Sequence, residues 1–164
     1  MNIYTKHAVA TVFLAFVSMQ AFAQKEHHAH DANEIGFGVG ATYAIGDKAW
    51  GEGVHLHYFR SLKRVSKLSL GCGLEQIWAK ENHFAVHAGA KYEPFERFEI
   101  GVMPGVVFSK HDDNNRYRPR FSLHFELAYN LFNWGNFHLA PVIDFAWSRG
   151  DSHLMAGFHL AYCF

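Results

Sequence analysis

The chain has 164 residues, of which 15 are basic and 15 are acidic, so its formal net charge is zero. This length suits one domain, and the balanced charge argues against a nucleic-acid partner, which requires a clustered basic surface. Aromatic residues make up 16% of the chain and prolines number only 4, a composition that favours β-structure. Histidine is unusually frequent, with 13 copies.

Residues 1–23 have the organisation of a secretory signal peptide. Lys6 and His7 form a short polar, positive start, the run from Ala8 to Val17 is almost wholly apolar, and Ala21-Phe22-Ala23 is an A-x-A cleavage site. The apolar run is shorter than the roughly 20 residues that span a bilayer, which argues against the alternative of an uncleaved anchor. We therefore expect the chain to be exported and cleaved.

Residues 24–33 are polar and lack apolar periodicity, which predicts a flexible tail. This segment carries His27, His28 and His30. Short histidine-rich tracts are weak metal binders, so these three residues are candidate metal ligands. After cleavage His27 would be the fourth residue, so the third-position histidine of a tight amino-terminal Cu or Ni site is absent.

Residues 34–164 alternate between apolar and polar or small side chains. In Arg120–Asn130 the odd positions hold phenylalanine, leucine and tyrosine, and the even positions hold only polar residues and alanine. A period of two indicates a β-strand, because a helix cannot place such residues on one face. Eight segments show the pattern: residues 35–43, 54–59, 68–78, 83–92, 98–108, 120–130, 137–148 and 153–164.

These eight segments have the length that tilted membrane-spanning strands require. Several apolar faces end on an aromatic residue, such as Tyr43, Trp78 and Trp147, as in the girdle at a membrane interface. The alternative is a soluble sandwich or lipocalin-like barrel, but the polar face has few Lys and Arg residues for a soluble surface. Its small residues suit a narrow barrel interior. We therefore predict an all-β fold, an eight-stranded antiparallel up-and-down transmembrane β-barrel.

The connections between the segments alternate in position. With the N-terminus in the periplasm, the outer loops are residues 44–52, 80–82, 109–118 and 149–152. The inner turns are residues 61–66, 93–97 and 131–136. Most outer loops are short, which argues against a large external binding apparatus, and the pattern shows no second domain.

The segment from His153 to Phe164 resembles the C-terminal assembly signal of bacterial outer-membrane proteins, with a final aromatic residue and apolar residues at every second position before it. This resemblance implies recognition by the barrel-assembly machinery and contact with outer-membrane lipid. Residues 34–164 are similar in size and layout to the small OmpA/OmpX-type barrels. Residues 53–58, 138–142 and 151–153 also resemble parts of a group of uncharacterised, histidine-rich Bacteroidota barrels. Together these resemblances imply the bacterial outer membrane as the location and bring no activity.

Strand parity directs eight histidines into the barrel and none toward lipid. They are His55, His57, His83, His87, His124, His138, His153 and His159. The same parity places four acidic residues inside: Glu75, Glu99, Glu126 and Asp144. Strand direction predicts His55, His83 and His153 near the outer end, His57, His87, His124 and Glu126 deeper, and His138 near the inner end.

Two interpretations of this interior stay open. In the first, histidines and carboxylates satisfy one another in a polar network that plugs the barrel. In the second, they bind a divalent metal such as Zn or Cu, for which imidazole is a common ligand and carboxylates complete or orient the set. His55 and His57 have a chelating spacing, whereas His83 and His87 are too far apart for a tight pair. The candidate ligands are His55, His57, His83, His87, His124, Glu126, His153 and His159.

A solute channel and a membrane-lipid hydrolase are the alternative functions. Eight strands enclose little more than side chains, which disfavours a channel. Ser122, His124 and Glu126 share a face, but residues two apart on a strand are roughly 6.5–7 Å apart, beyond the reach that a catalytic set needs. We therefore expect no enzymatic activity. Cys72 and Cys163 have opposite parity, which predicts that no disulfide joins them.

Overall fold

The computed structural model describes residues 33–62, 67–80, 82–110, 117–150 and 152–164. The signal peptide expected at residues 1–23 lies outside these ranges. The same holds for the candidate tail ligands His27, His28 and His30.

Nine antiparallel strands form a single sheet in the described residues. Eight of them are long: β1 Asn33–Ala44, β2 Ala49–Ser61, β3 Leu68–Trp78, β4 His83–Phe95, β5 Phe98–Lys110, β6 Tyr117–Tyr129, β8 Phe137–Ser148 and β9 His153–Cys163. The short strand β7, Phe132–Trp134, pairs only with β8. Because β9 pairs with β1 and β6 pairs with β8, the eight long strands close into a barrel. The predicted eight-stranded antiparallel barrel is confirmed.

Four connections differ from the predicted boundaries. The predicted inner turn 93–97 is shorter, because β4 extends to Phe95 and β5 begins at Phe98. The strand β2 begins at Ala49, which pairs with Ala44, so residues 44–52 are mostly strand rather than an outer loop. The predicted turn 131–136 contains β7, which forms a hairpin with β8 around Gly135, whose φ is 59°. The predicted loop 109–118 is shorter, because β5 extends to Lys110 and β6 begins at Tyr117.

Apolar side chains cover the outside of the barrel, and polar side chains fill its inside. Each long strand presents exposed apolar residues, for example Phe37, Leu56, Leu74, Val86, Val102, Phe125, Phe145 and Leu160. The buried set is largely polar and includes seven histidines, Glu75, Glu126 and Asp144. This inside-out distribution is the one a barrel adopts when its outer surface faces lipid.

The barrel closes at the end where the first and last described residues meet. The backbone N–H of Asn33 donates to the carbonyl of Phe164 at 3.0 Å, and the N–H of Phe164 donates back to Asn33 at 2.9 Å. The hydroxyl of Tyr58 donates to Asn33 Oδ1 at 2.7 Å. We call this the inner end, and the end with residues 45–48 and 149–152 the outer end. The structure contains, in its described part, no helix that is long and apolar enough to cross a membrane.

Candidate metal centres

Three histidines meet near the middle of the barrel, and we call them the tri-histidine cluster. His55 and His57 come from β2 and His159 from β9. The ring centroid of His159 lies 3.9 Å from that of His55 and 5.1 Å from that of His57. One ring nitrogen of each residue lies within 4.8 Å of the other two. All three side chains are buried.

Glycines on β1 make room for these rings. The strand β1 lies between β2 and β9, and Gly38 pairs with His55 on one side and His159 on the other. A Cβ at Gly38 would overlap His55 Nε2 and would lie 2.6 Å from His159 Cδ2. A Cβ at Gly36 would overlap His57 Nε2. The histidine rings of the cluster therefore pack directly against the glycine backbone of β1, which we call the glycine floor.

The tri-histidine cluster is poorly satisfied by its protein neighbours. Among the described residues, His55 Nε2 and His159 Nε2 are buried and have no hydrogen-bond partner. His159 Nε2 lies 3.7 Å from Glu126 Oε2, too far for a good hydrogen bond. Only His57 Nε2 has a carboxylate within reach, Glu34 Oε1 at 3.2 Å. Buried nitrogens without partners cost about 1–3 kcal/mol each, and coordination of a metal ion would satisfy them.

A second group, which we call the four-donor cluster, contains Glu75, His124, Asp144 and His153. Their strands are β3, β6, β8 and β9, so Glu75 reaches across the interior to meet the other three. His124 Nδ1 lies 3.3 Å from Asp144 Oδ1, and His153 Nε2 lies 3.3 Å from Glu75 Oε1. One donor atom from each of the four residues lies within 4.8 Å of the others, and all four residues are buried.

A third group lies at the inner end and contains Glu34, His138 and Cys163. His138 Nε2 lies 3.7 Å from Glu34 Oε2, and Cys163 Sγ lies 3.6 Å from His138 Nδ1. The ammonium of Lys91 lies 2.7 Å from Glu34 Oε1 and 2.9 Å from Glu99 Oε2. Because this ammonium already neutralises Glu34 and repels cations, the third group is the least suited to a metal. No disulfide joins Cys163 to Cys72, which faces outward.

The structure divides the sequence candidates among these groups. His55, His57 and His159 form one cluster, and His124 and His153 belong to another. His83 and His87 belong to none of the three groups; their rings lie 6.4 Å from His153 and 4.8 Å from His124, respectively. Glu126 is also outside the three groups.

Two features of the site differ from the sequence prediction. Strand parity places Glu75 and Asp144 inside the barrel, and the structure adds them to the candidate ligands because each lies next to a candidate histidine. His55 was expected near the outer end, beside His83 and His153, and this was wrong. Since β2 has 13 residues from Ala49 to Ser61, His55 is at its midpoint and packs against His57 and His159.

Ser122, His124 and Glu126, the candidate residues for a hydrolase, do not form a catalytic set. His124 directs Nδ1 to Asp144, on the neighbouring strand. Within the described residues, Ser122 Oγ has no hydrogen-bond partner. A serine nucleophile needs a base within hydrogen-bond reach, and Ser122 lacks that contact.

No protein-family model and no curated protein matches the chain. Several solved structures share its fold. Neisserial surface protein A has a TM-score of 0.67 at 8% identity, with 84% of this chain and 100% of that chain covered. Ail of Yersinia pestis has a TM-score of 0.56 at 13% identity, covering 82% and 99%. The N-terminal β-barrel domain of Pseudomonas aeruginosa OprF has a TM-score of 0.55 at 13% identity, covering 82% and 99%. The chain therefore has the fold of small bacterial outer-membrane β-barrels.

Proposed function

We propose that this protein is a bacterial outer-membrane barrel whose closed interior binds a divalent transition-metal ion, Zn²⁺ or Cu²⁺, at the tri-histidine cluster. The observation that carries the proposal is the convergence of three buried imidazoles, two of which have an Nε2 atom without a hydrogen-bond partner in the described residues. Imidazole is a preferred ligand of both ions.

The apolar outer surface of the barrel supports the proposed location in the outer membrane. Exposed apolar residues on every long strand would be unfavourable in water, because contiguous apolar patches of this extent mark membrane or protein contacts. One structural neighbour, with a TM-score of 0.52, is described as an outer-membrane protein in a phospholipid bilayer nanodisc. The alternating apolar side chains of β9, such as Phe158, Leu160 and Tyr162, support assembly by the barrel-assembly machinery.

The surroundings of the tri-histidine cluster favour a bound cation. Glu34 accepts a contact from His57 Nε2 at 3.2 Å, which would leave His57 Nδ1 for the metal and orient its ring. Glu126 Oε2 lies 3.7 Å from His159 Nε2, on another side of the cluster. Three protein ligands leave one position of a tetrahedral ion open to water or a small anion.

The same packing disfavours the channel alternative. Ile77 and Met155 are fully buried toward the outer end, and Phe59 and Lys91 are buried near the inner end. Side chains therefore fill the interior at both ends, as expected for eight strands.

The experiment refolds the barrel into lipid vesicles with Zn²⁺ or Cu²⁺, removes free metal by desalting, and counts the ions bound per chain by mass spectrometry. We expect the double variant His55→Ala/His57→Ala to bind one ion fewer per chain than the wild type. His87→Gln is the matched control, because it removes a buried histidine outside the three groups and should leave the stoichiometry unchanged. Equal metal binding by the wild type and the double variant would contradict the proposal.

A further inference from the structure

Unlike the tri-histidine cluster, the four-donor cluster contains two carboxylates whose negative charge a divalent cation would balance. Two carboxylates, Glu75 and Asp144, and two imidazoles, His124 and His153, face each other with side chains only 2–4% exposed. Two buried carboxylates are expensive unless positive charge compensates them. One divalent cation would neutralise both and make the site formally neutral.

Ring nitrogens without partners remain in this cluster beside its two histidine–carboxylate contacts. Within the described residues, His124 Nε2 and both ring nitrogens of His153 are buried and have no hydrogen-bond partner. The two carboxylate contacts therefore do not satisfy either ring completely. A polar network that served only to fill the interior would be expected to pair such atoms.

The spacing of the donors suits a small tetrahedral ion. Zinc binds nitrogen and oxygen at roughly 2.0–2.2 Å, which makes the edge of its donor tetrahedron about 3.3–3.5 Å. The contacts between His124 and Asp144 and between His153 and Glu75 already have this length, at 3.3 Å each. The remaining donor separations, up to 4.8 Å, require the two pairs to move toward each other by up to about 1.5 Å.

We infer that Glu75, His124, Asp144 and His153 form a second metal site, separate from the tri-histidine cluster, which holds Zn²⁺ with four protein ligands. Four protein ligands and no open position are typical of structural rather than catalytic zinc. The ion would tie β3 to β6, β8 and β9 across the barrel interior. This cross-link stabilises the closed barrel directly, because it joins strands that are not neighbours in the sheet.

The burial of the site implies that the ion enters while the barrel folds. The four ligands are nearly inaccessible, and Ile77, 1% exposed, lies between Glu75 and the outer end of β3. Zinc present during refolding should therefore be retained after desalting, whereas zinc added to the folded barrel should enter at least tenfold more slowly.

The test measures zinc per folded chain by mass spectrometry after refolding with Zn²⁺ and desalting. The variants are Glu75→Gln/Asp144→Asn for this site and His55→Ala/His57→Ala for the tri-histidine cluster. We expect two ions in the wild type and one in each variant. Glu99→Gln is the matched control, because it removes an interior carboxylate outside all three groups and should keep two ions.

The outcomes separate this site from the proposed function. One ion in the wild type, kept in His55→Ala/His57→Ala and lost in Glu75→Gln/Asp144→Asn, supports this site and contradicts the tri-histidine one. Unchanged zinc content in Glu75→Gln/Asp144→Asn overturns the inference made here.

A second measurement tests the site even if the Glu75→Gln/Asp144→Asn variant does not fold. Co²⁺ replaces zinc in tetrahedral sites and then absorbs strongly in the visible range. The His55→Ala/His57→Ala barrel, which keeps all four ligands, should show this intense spectrum after refolding with Co²⁺. A folded barrel of this variant with only the weak spectrum of octahedral Co²⁺ would overturn the inference.

Discussion

Glu34 Oε1 lies 3.2 Å from His57 Nε2, so the second described residue of β1 is joined to the tri-histidine cluster. The same carboxylate contacts Lys91 Nζ at 2.7 and 2.8 Å. Glu34 therefore connects the candidate metal centre to the ion pairs at the inner end of the barrel. It fixes the ring of His57 while Lys91 offsets its charge.

The first prediction concerns Glu34 as an orienting residue. Glu34→Gln should weaken metal binding at the tri-histidine cluster by about 10- to 100-fold, because carboxylates that hold a metal-ligating histidine typically contribute that much. Refolding with metal in the presence of a chelator of known affinity, followed by measurement of the metal retained, gives the effect. Glu99→Gln is the control, because it removes the other carboxylate partner of Lys91 without touching His57. If both variants lost the same affinity for metal, the effect would come from the charge at the inner end and not from the orientation of His57.

The second prediction concerns Lys91, the buried cation between Glu34 and Glu99. Lys91→Met should lower the free energy of unfolding by about 3 kcal/mol, because it leaves two partly buried carboxylates without their counter-charge. Urea titration in lipid vesicles measures the change. Lys80→Met, at an exposed position, should change stability by less than about 0.5 kcal/mol. A small effect at Lys91 would show that the carboxylates are neutralised in another way.

The third prediction tests the glycine floor under the histidines. Gly38→Ala should destabilise the barrel by about 1–3 kcal/mol through overpacking, because its Cβ would overlap the His55 ring and press on that of His159. It should also abolish metal binding at that cluster. Gly101→Ala, where a Cβ would come no closer than 3.1 Å to Glu126 Cβ, should have a clearly smaller effect on stability. Metal binding that survives in Gly38→Ala would place the ion elsewhere.

The fourth prediction tests which face of the barrel meets lipid. Cys72 is exposed on β3 between the apolar residues Leu70 and Leu74. In a Cys163→Ser background, a membrane-soluble maleimide should label Cys72 of the vesicle-embedded barrel, whereas a charged maleimide should not. Labelling followed by intact-mass measurement gives the result. Fast labelling by the charged reagent would show that this face is in contact with water.

The strands and their faces could be predicted because a period of two is a local property of the sequence. In β6 every second residue is apolar, and each of these side chains faces outward as expected. The start of β2 could not be predicted in this way. Residues 49–53 have no clear alternation, and they become strand because they pair with the end of β1.

The grouping of the site residues could be predicted only in part. Strand parity placed Glu75 and His153 inside the barrel, but their contact joins β3 and β9, which are not neighbours in the sheet. Contacts of this kind depend on the tilt and stagger of the strands, which set the height of each side chain in the interior. Neither quantity is encoded in the spacing of residues along one strand.

The meeting of Asn33 and Phe164 has a consequence for the connectivity of the chain. Since their backbones exchange hydrogen bonds of 2.9 and 3.0 Å, a few added residues would join them without disturbing β1 or β9. The sheet is a circle in which no strand is intrinsically first. A circular permutant opened between Glu96 and Arg97 would cut the chain outside the strands and keep both buried clusters, yet end on β4 instead of β9. Such a molecule would show whether assembly into the membrane requires β9 to be the last strand.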